Sequence, residues 1–287
     1  MPSIKMGKIS IITAVHNGLA INKIFVKYLE KYTINPYELI VIDNCSTDGS
    51  LEFFKSKGAI VIENKENYSY PFCQNQGINV AKGDFLFFLN NDIIVSPNWD
   101  KNLIETALQN GLDAVSASGI ENMGSFKKTD ALSRKWKRIK NPFSLLGFNV
   151  RTLKFMFYLM YNNWEKFCDS LFDKFKYRVI EGIVGDNVMM TKDAIAKMGL
   201  WDERIQVADW DFFMRSKRRS ITVGDMKPCH IALGVYIHHF GKMTLKYGIK
   251  KPVSFTDKDN IIKLSDKWSQ AEIDNYNPNN EKLKRVD

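Results

Sequence analysis

The sequence predicts an α/β protein: a mostly parallel central sheet flanked by helices, with a basic helical insertion. Three observations carry this expectation. Short apolar or β-branched runs at 8–15 (KISIITAV), 37–42 (YELIVI), 59–63 (AIVIE) and 85–89 (FLFFL) alternate with stretches of helical spacing, the pattern of strands joined by crossover helices. The run at 85–89 is apolar without interruption, as a strand covered on both faces requires. Between positions 126 and 178 stand 13 Lys or Arg against 4 Asp or Glu, so one segment carries the whole net charge of +9.

The first strand runs straight into His16-Asn17-Gly18. Residues 20–32 then set Ile24, Phe25, Tyr28 and Leu29 near helical spacing, and Pro36 closes the connection. The second strand ends in Asp43 and the turn-forming NCSTDGS at 44–50. A short helix at 51–57, the third strand, and a helix at 72–81 complete a nucleotide-binding half of the Rossmann kind. Later, Val188 to Met190 form a short apolar run behind Asp186, 231–237 reads as a strand, and 212–218 as a helix behind Asp209-Trp210-Asp211.

Ligands of open α/β sheets sit past the carboxyl ends of the strands. The fourth strand ends there in Asn90-Asn91-Asp92. A carboxylate so placed suits a hard cation such as Mg²⁺ or Mn²⁺ holding a phosphate, although a polar turn with Asp92 as a cap fits the same residues. The phosphate loops usual in this architecture, G-x-G-x-x-G and G-x-x-x-x-G-K-[ST], are missing. Acids replace them: Asp43, Asp48 and Asp92. A carboxylate after the second strand accepts hydrogen bonds from a ribose hydroxyl or base N–H. One facing phosphate needs a cation between. A nucleotide diphosphate bound through a divalent metal follows.

Composition narrows the class. Hydrophobic residues make up 45% and charged residues 25%, as in soluble globular proteins. No run approaches the ~20 apolar residues of a membrane span, and no signal-peptide core opens the chain. Cys45, Cys73, Cys168 and Cys229 are scattered, which suits reduced thiols in a cytoplasmic protein.

The basic segment contains SRKWKRIK at 133–140, then a predicted single helix at 152–175 with Leu153, Phe157, Met160, Trp164, Phe167, Leu171 and Phe175 at three- and four-residue steps. Such a helix lies on an anionic membrane surface, peripheral on its inner face, or covers an acceptor cleft. A solvated basic face on a helix packed against the sheet satisfies the pattern equally. A nucleic-acid partner is disfavoured, because the aromatics follow helical spacing and no nucleic-acid module.

Taken in order, ISIITAVHNG, ELIVIDNCSTDGS, NYSYPFCQNQGINVAKGDFLFFLNNDIIV, VGDNVMMTKDAIAKMGLWDERI, ADWDFFMR and HHFGKMT resemble the family 2 glycosyltransferases of GT-A fold, and NIIKLSDKWS resembles the tail in which relatives carry a Lys-Trp pair. The likeness extends to rhamnosyl- and related hexosyltransferases of bacterial surface glycan assembly. It implies an inverting transferase moving a sugar from a UDP-, GDP- or dTDP-linked donor to a glycan or lipid-linked acceptor, with Mn²⁺ or Mg²⁺ as cofactor. Thr13, Ala14, Val15 and Asn17 would line the nucleotide pocket. Asp43 would bind base or ribose, Asp48 would support its loop, and Asn75 would lie near ribose or diphosphate. Asn90, Asn91 and Asp92 occupy the D-x-D position, with Asp92 on the metal. Asp209 matches the catalytic base. His239, followed by Gly241 and Thr244, matches a late metal or diphosphate ligand, and His238 is its neighbour and alternative. On the acceptor side, Trp201 and Trp210 offer aromatic faces to a sugar or simply pack in the core. Asp211 reads as a helix-start acid and Asp186 as an acceptor contact or turn residue.

Three departures stand out: Asn90 and Ala208 replace expected acids, and Asn44 follows Asp43 where paired aspartates are common. They keep open an inactive nucleotide-sugar- or membrane-binding adaptor. A sugar-nucleotide pyrophosphorylase shares the architecture but carries a Gly-rich basic loop where TAVHNG stands. The expected organisation is a nucleotide-sugar-binding half at 1–122, the basic insertion at 123–180, an acceptor and catalytic half at 181–250, and a helical tail at 251–287.

Overall fold

The computed structural model describes residues 7–143, 147, 149–241 and 255–276. Its strands are β1 (Ile9–Val15), β2 (Tyr37–Asn44), β3 (Ile60–Asn64), β4 (Phe85–Leu89), β5 (Ile93–Val95), β6 (Ala114–Gly119), β7 (Val179–Glu181), β8 (Asn187–Thr191) and β9 (His230–His239). Helices α1 (Leu19–Tyr32), α2 (Ser50–Ser56), α3 (Tyr70–Val80) and α4 (Trp99–Asn110) intervene in the first half. Then come α5 (Phe126–Phe143), α6 (Val150–Tyr161), α7 (Trp164–Phe175), α8 (Lys192–Met198), α9 (Ala208–Thr222), α10 (Leu264–Lys267) and α11 (Gln270–Tyr276).

One sheet holds all of these strands in the order β3-β2-β1-β4-β8-β6-β9-β5, with β7 on β9. Pairing is parallel from β3 through β4 and again between β6 and β9, while β5, β7 and β8 run against the rest. Neighbouring residues point to opposite faces, and both faces are covered. Ile11, Val41 and Phe87 join the core under α1, α4, α6 and α7, whereas Ile12, Ile42 and Phe88 join the one under α3, α8 and α9. Two-sided burial explains the unbroken apolar run of β4. On the second face α3 seats directly on β1: a β-carbon at Gly77 would fall 2.3 Å from Ile12 Cγ2.

The basic segment differs from its expected form. Instead of one helix at 152–175, α6 and α7 meet at a break, where Asn162 adopts φ 58° and the Asn163 side chain accepts the Lys166 N–H. Asn tolerates the left-handed region and caps helices well. Each half keeps the same apolar spacing, so periodicity alone passes over the break. The 133–140 stretch lies within α5, its Lys and Arg mainly outward and Trp136 buried. Trp136, Leu153, Phe157, Met160 and Trp164 share one core cluster with β1 and α1. The insertion is therefore packed against the sheet, as the plainer reading of its pattern had it. Helix α9 also starts earlier than its apolar spacing suggests, which brings Asp209 and Asp211 into its first turn.

Opposite the strand ends that carry the acids, Glu38 ties three strands together. Its carboxylate accepts from Ser10 Oγ at 2.6 Å, Lys8 Nζ at 2.8 Å and the Lys82 N–H at 2.6 Å. Burial alone would raise this carboxyl, but Lys8, Ser10 and Lys82 outweigh it and hold it down to about 2. The folded protein thus gives up this proton more readily than the unfolded chain does. Its contribution to stability is full above the ordinary Glu range and fades as pH falls toward 2. Denaturant unfolding measured across that range should show this acid-dependent loss, and Glu38→Gln should flatten it.

Candidate active site

At the carboxyl ends of β1 and β2 a polar relay sets the loops. Asp48 Oδ2 accepts the N–H groups of Gly18 and Leu19 at 2.7 and 2.8 Å, neutralising exposed donors at the start of α1. Its Oδ1 accepts from Ser50 N–H and Oγ, and Ser50 Oγ accepts from Asn22 Nδ2 at 2.9 Å. Asn22 Oδ1 in turn accepts from Asn91 Nδ2 at 2.7 Å. Asn17 Oδ1 accepts the Thr47 N–H at 2.7 Å, and the Asn17 N–H reaches Ser46 Oγ at 2.8 Å. Asn17 and Cys45 both take positive φ, 61° and 64°, a backbone cost that clusters at functional sites. Within this frame Thr13, Ala14 and Val15 end β1, and Asp43 lies opposite Val15. Asp43 Oδ2 accepts the Ser46 N–H at 3.0 Å, while its Oδ1 and Thr13 Oγ1 are buried without a hydrogen-bond partner. Buried polar atoms left so are rare in folded proteins.

The second half of the site is acidic. Antiparallel pairing of β5 with β9 sets Ile93 opposite His239, and the Phe240 N–H donates to Asp92 O at 2.9 Å. Asp92 Oδ1 thereby comes 3.0 Å from His239 Nε2. The other ring nitrogen, Nδ1, is 2.7 Å from Glu121 Oε1 and 3.0 Å from Asp186 Oδ2. The turn at the end of β4 joins the group directly, since the Asn90 N–H donates to Asp186 O at 2.9 Å. Burial would discharge the His239 imidazole, but Asp92 and Asp186 outweigh it and hold its proton well above the usual range. Burial and Asp186 also raise the Glu121 carboxyl, which His239 only partly offsets, so the acids crowd one another around a single imidazole. Asp186 Oδ2 is buried with no hydrogen bond in line. Donor atoms of Glu121, Asp186 and His239 lie within 4.8 Å of one another. Oxygen donors with one imidazole fit a hard divalent cation of the Mn²⁺ or Mg²⁺ type.

Asp209 stands beside this cluster. A β-carbon on Gly185 would fall 2.2 Å from Asp209 Oδ2 and 2.9 Å from its Cβ, so only glycine lets the start of α9 approach Asp186. Burial raises the Asp209 carboxyl, its own and the Trp210 N–H partly offset this, and Asp186 raises it further. The phenol of Tyr70 is buried, without a hydrogen-bond partner, and held un-ionised by burial and by Asp209 and Asp186.

Several expected site residues have other duties. Asn75 does not face the pocket: its amide donates to Trp201 O and Glu203 Oε1 and accepts the Trp201 N–H, bracing that loop. Asn91 is spent on Asn22. Asp211 is 1% exposed and points away to the tail, where it takes Trp268 Nε1 at 2.9 Å, Lys267 Nζ at 2.7 Å and Arg215 Nε at 2.9 Å. Trp201 is core, edge-on to Phe88 at 5.2 Å and tilted on Phe212 at 5.4 Å. Trp210 remains half-buried on α9. Asp186, expected as an acceptor contact or turn residue, lies at the centre of the acid cluster. His238 takes the other face of β9, buried among Trp136, Phe157 and Phe240 and bonded to Tyr161 at 2.9 Å. Of the two histidines, only His239 meets the acids. Thr244 lies outside the described residues. Glu121, Tyr70, Gly185 and Asn22 were not singled out by sequence. Glu121 has a usable signal, an acid two residues past the end of a strand, but β6 is made of small residues and is itself faint.

A mixed α/β sheet with acids gathered at its strand ends is the GT-A architecture of nucleotide-sugar enzymes. The fold matches the mannosyltransferase PcManGT from Pyrobaculum calidifontis, solved with GDP-Man and Mn²⁺, with a TM-score of 0.55 and 11% identity over 82% of this chain and 57% of that one. Residues 10–199 match the family model Glycosyl transferase family 2, and the chain belongs to that family. Similar relatives include glycosyltransferase AglE of Haloferax volcanii, 29% identical over 101 residues, covering 33% of this chain and 30% of AglE. Glycosyltransferase GlyG of Streptococcus pneumoniae serotype 4 is 28% identical over 112 residues, 37% of each chain. The chain thus spans about a third of the length of the curated relatives it matches.

The Asp211 junction offers a stability test separate from chemistry. Removing the buried carboxylate takes from Arg215 its counter-ion and leaves Lys267 with Asp202 alone. Asp211→Ala should cost ~2–4 kcal/mol, read as a fall in the denaturation midpoint at unchanged slope.

Proposed function

We propose that the chain is an inverting glycosyltransferase that moves a sugar from a nucleotide-diphosphate sugar to a hydroxyl of a glycan or lipid-linked acceptor. One observation carries the reading: Asp209 lies against Gly185 and beside Asp186, within the same group of acids as Asp92, Glu121 and His239. Residues far apart in the chain meet where the strands end. The unpartnered Thr13 Oγ1 and Asp43 Oδ1 would take the nucleoside, the carboxylate accepting from a ribose hydroxyl or base N–H.

Glu121, Asp186 and His239, with Asp92 alongside, would hold a divalent cation such as Mn²⁺ or Mg²⁺, whose charge offsets that of the departing diphosphate. The chain's own part is proton transfer and placement. As the acceptor oxygen bonds to the anomeric carbon and the bond to diphosphate breaks, the hydroxyl proton passes to Asp209. A carboxyl raised by burial and by Asp186 takes that proton better at neutral pH than an ordinary aspartate. Tyr70, held un-ionised by burial and by the charges of Asp209 and Asp186, keeps its hydroxyl proton as a donor. Attack opposite the leaving group inverts the anomeric centre.

Turnover measured against UDP-, GDP- and dTDP-sugars with Mn²⁺ tests this reading, and EDTA should stop it reversibly. In Asp209→Asn, transfer should fall by about 10²–10⁴-fold while donor still raises the melting temperature. Donor binding lost along with transfer would count against Asp209 as the base. Gly185→Ala should lower kcat by about 10²-fold through displacement of Asp209, with KM for the donor little changed.

A further inference from the structure

We infer that the outward face of α6 is a docking surface for an anionic phospholipid bilayer. The inference goes beyond the transfer reaction and does not depend on it. Helix α6, VRTLKFMFYLMY, is apolar on two sides. Its inner stripe of Leu153, Met156, Phe157 and Met160 is buried in the core shared with α1 and the sheet. A second stripe of Arg151, Lys154, Phe155, Tyr158 and Leu159 faces solvent, stepping by three and four as a single helical face does. Phe155 is 47% exposed, Tyr158 56% and Leu159 39%. The inner stripe anchors the helix, and Phe155 also meets Phe143 edge-on at 5.3 Å, which leaves much of the outward apolar surface to solvent. A helix apolar all round is normally covered all round.

Charge and position select the cover. α6 contains no acidic residue. The ion pairs of the surrounding segment, Arg134–Asp130 and Lys31–Glu165, leave Arg151 and Lys154 outside them. The exposed aromatic side chains among the described residues, Phe126, Phe155 and Tyr158, all lie on α5 or α6. Cations interleaved with Phe, Tyr and Leu match the boundary between lipid headgroups and acyl chains, where such rings insert and long basic side chains reach back to phosphate. Twelve residues give a helix of about 18 Å, which lies in that boundary; no described helix is long and apolar enough to cross a membrane. A second copy of the chain is a poorer occupant, because a two-fold contact through this face would bring Arg151 and Lys154 of both copies together. Tyr161, the last residue of α6, bonds to His238 on the face of β9 that turns away from the acids, so the helix is fixed to the body of the sheet.

The test is vesicle co-sedimentation of the intact chain without donor, so its outcome is separate from that of any turnover assay. Removal of 127–140 is unsuitable, because Trp136 is part of the core. Vesicles of phosphatidylglycerol with phosphatidylcholine should bind the chain, phosphatidylcholine alone should not, and binding should weaken as salt rises from ~0.1 to ~0.5 M. Tyr158→Ser/Leu159→Ser and, separately, Arg151→Gln/Lys154→Gln should each weaken binding by about tenfold or more, with unchanged melting temperature. Should one set unfold the chain, the other decides. Binding equal to the parent in a folded variant, or equal binding to neutral vesicles, overturns the proposal. So does a concentration-dependent dimer that the apolar variant abolishes, which would assign the face to a second copy.

Discussion

Negative charge crowded into one place is the constraint this structure answers. Asp92, Glu121 and Asp186 surround a single imidazole, and Asp209 presses in from α9. Carboxylates so close repel one another in a partly dry setting. They stay together because rigid elements hold them from different directions: the β4–β5 turn, the end of β6, the start of β8, the end of β9 and the first turn of α9. His239 relieves part of the repulsion, and Asp92 and Asp186 in turn hold its proton against the cost of burial.

Around that centre the polar side chains of the strand-end loops are spent on one another. The run from Asp48 through Ser50 and Asn22 to Asn91 joins the ends of β1, β2 and β4 by hydrogen bonds that are in large part buried. Asn75 does the same for the loop at 201–203. Such networks stiffen a site when every member is paired. Against that background Thr13 Oγ1, Asp43 Oδ1 and the Tyr70 phenol are buried without a hydrogen-bond partner at or beside the strand ends.

Much of the fold was legible because its signals are local. Unbroken apolar runs and polar strand ends identify β1 to β4, and the two-sided core accounts for both. The polar strand ends were legible for the same reason: Asp43 and His239 close apolar runs, and Asp92 stands in the turn just past β4. Direction was harder. Sequence does not say whether Asn75 and Asp211 face the pocket or its support, because that depends on partners more than 50 positions away, Trp201 and Trp268. The break between α6 and α7 was hidden by apolar spacing that continues in both halves. Gly185 and Glu121 acquire meaning only once α9 and β9 are folded against them.

The tail has a consequence for how the molecule comes into being. Asp211 is buried, and its indole and ammonium partners are Trp268 and Lys267. A growing polypeptide would assemble the β1–β4 half early, from contacts near in sequence. The first turn of α9 gains its contacts to Lys267 and Trp268 only once residue 268 has emerged from the ribosome. The tail is therefore a late clasp on that end of the helix, closed after the parallel strands have met their neighbours.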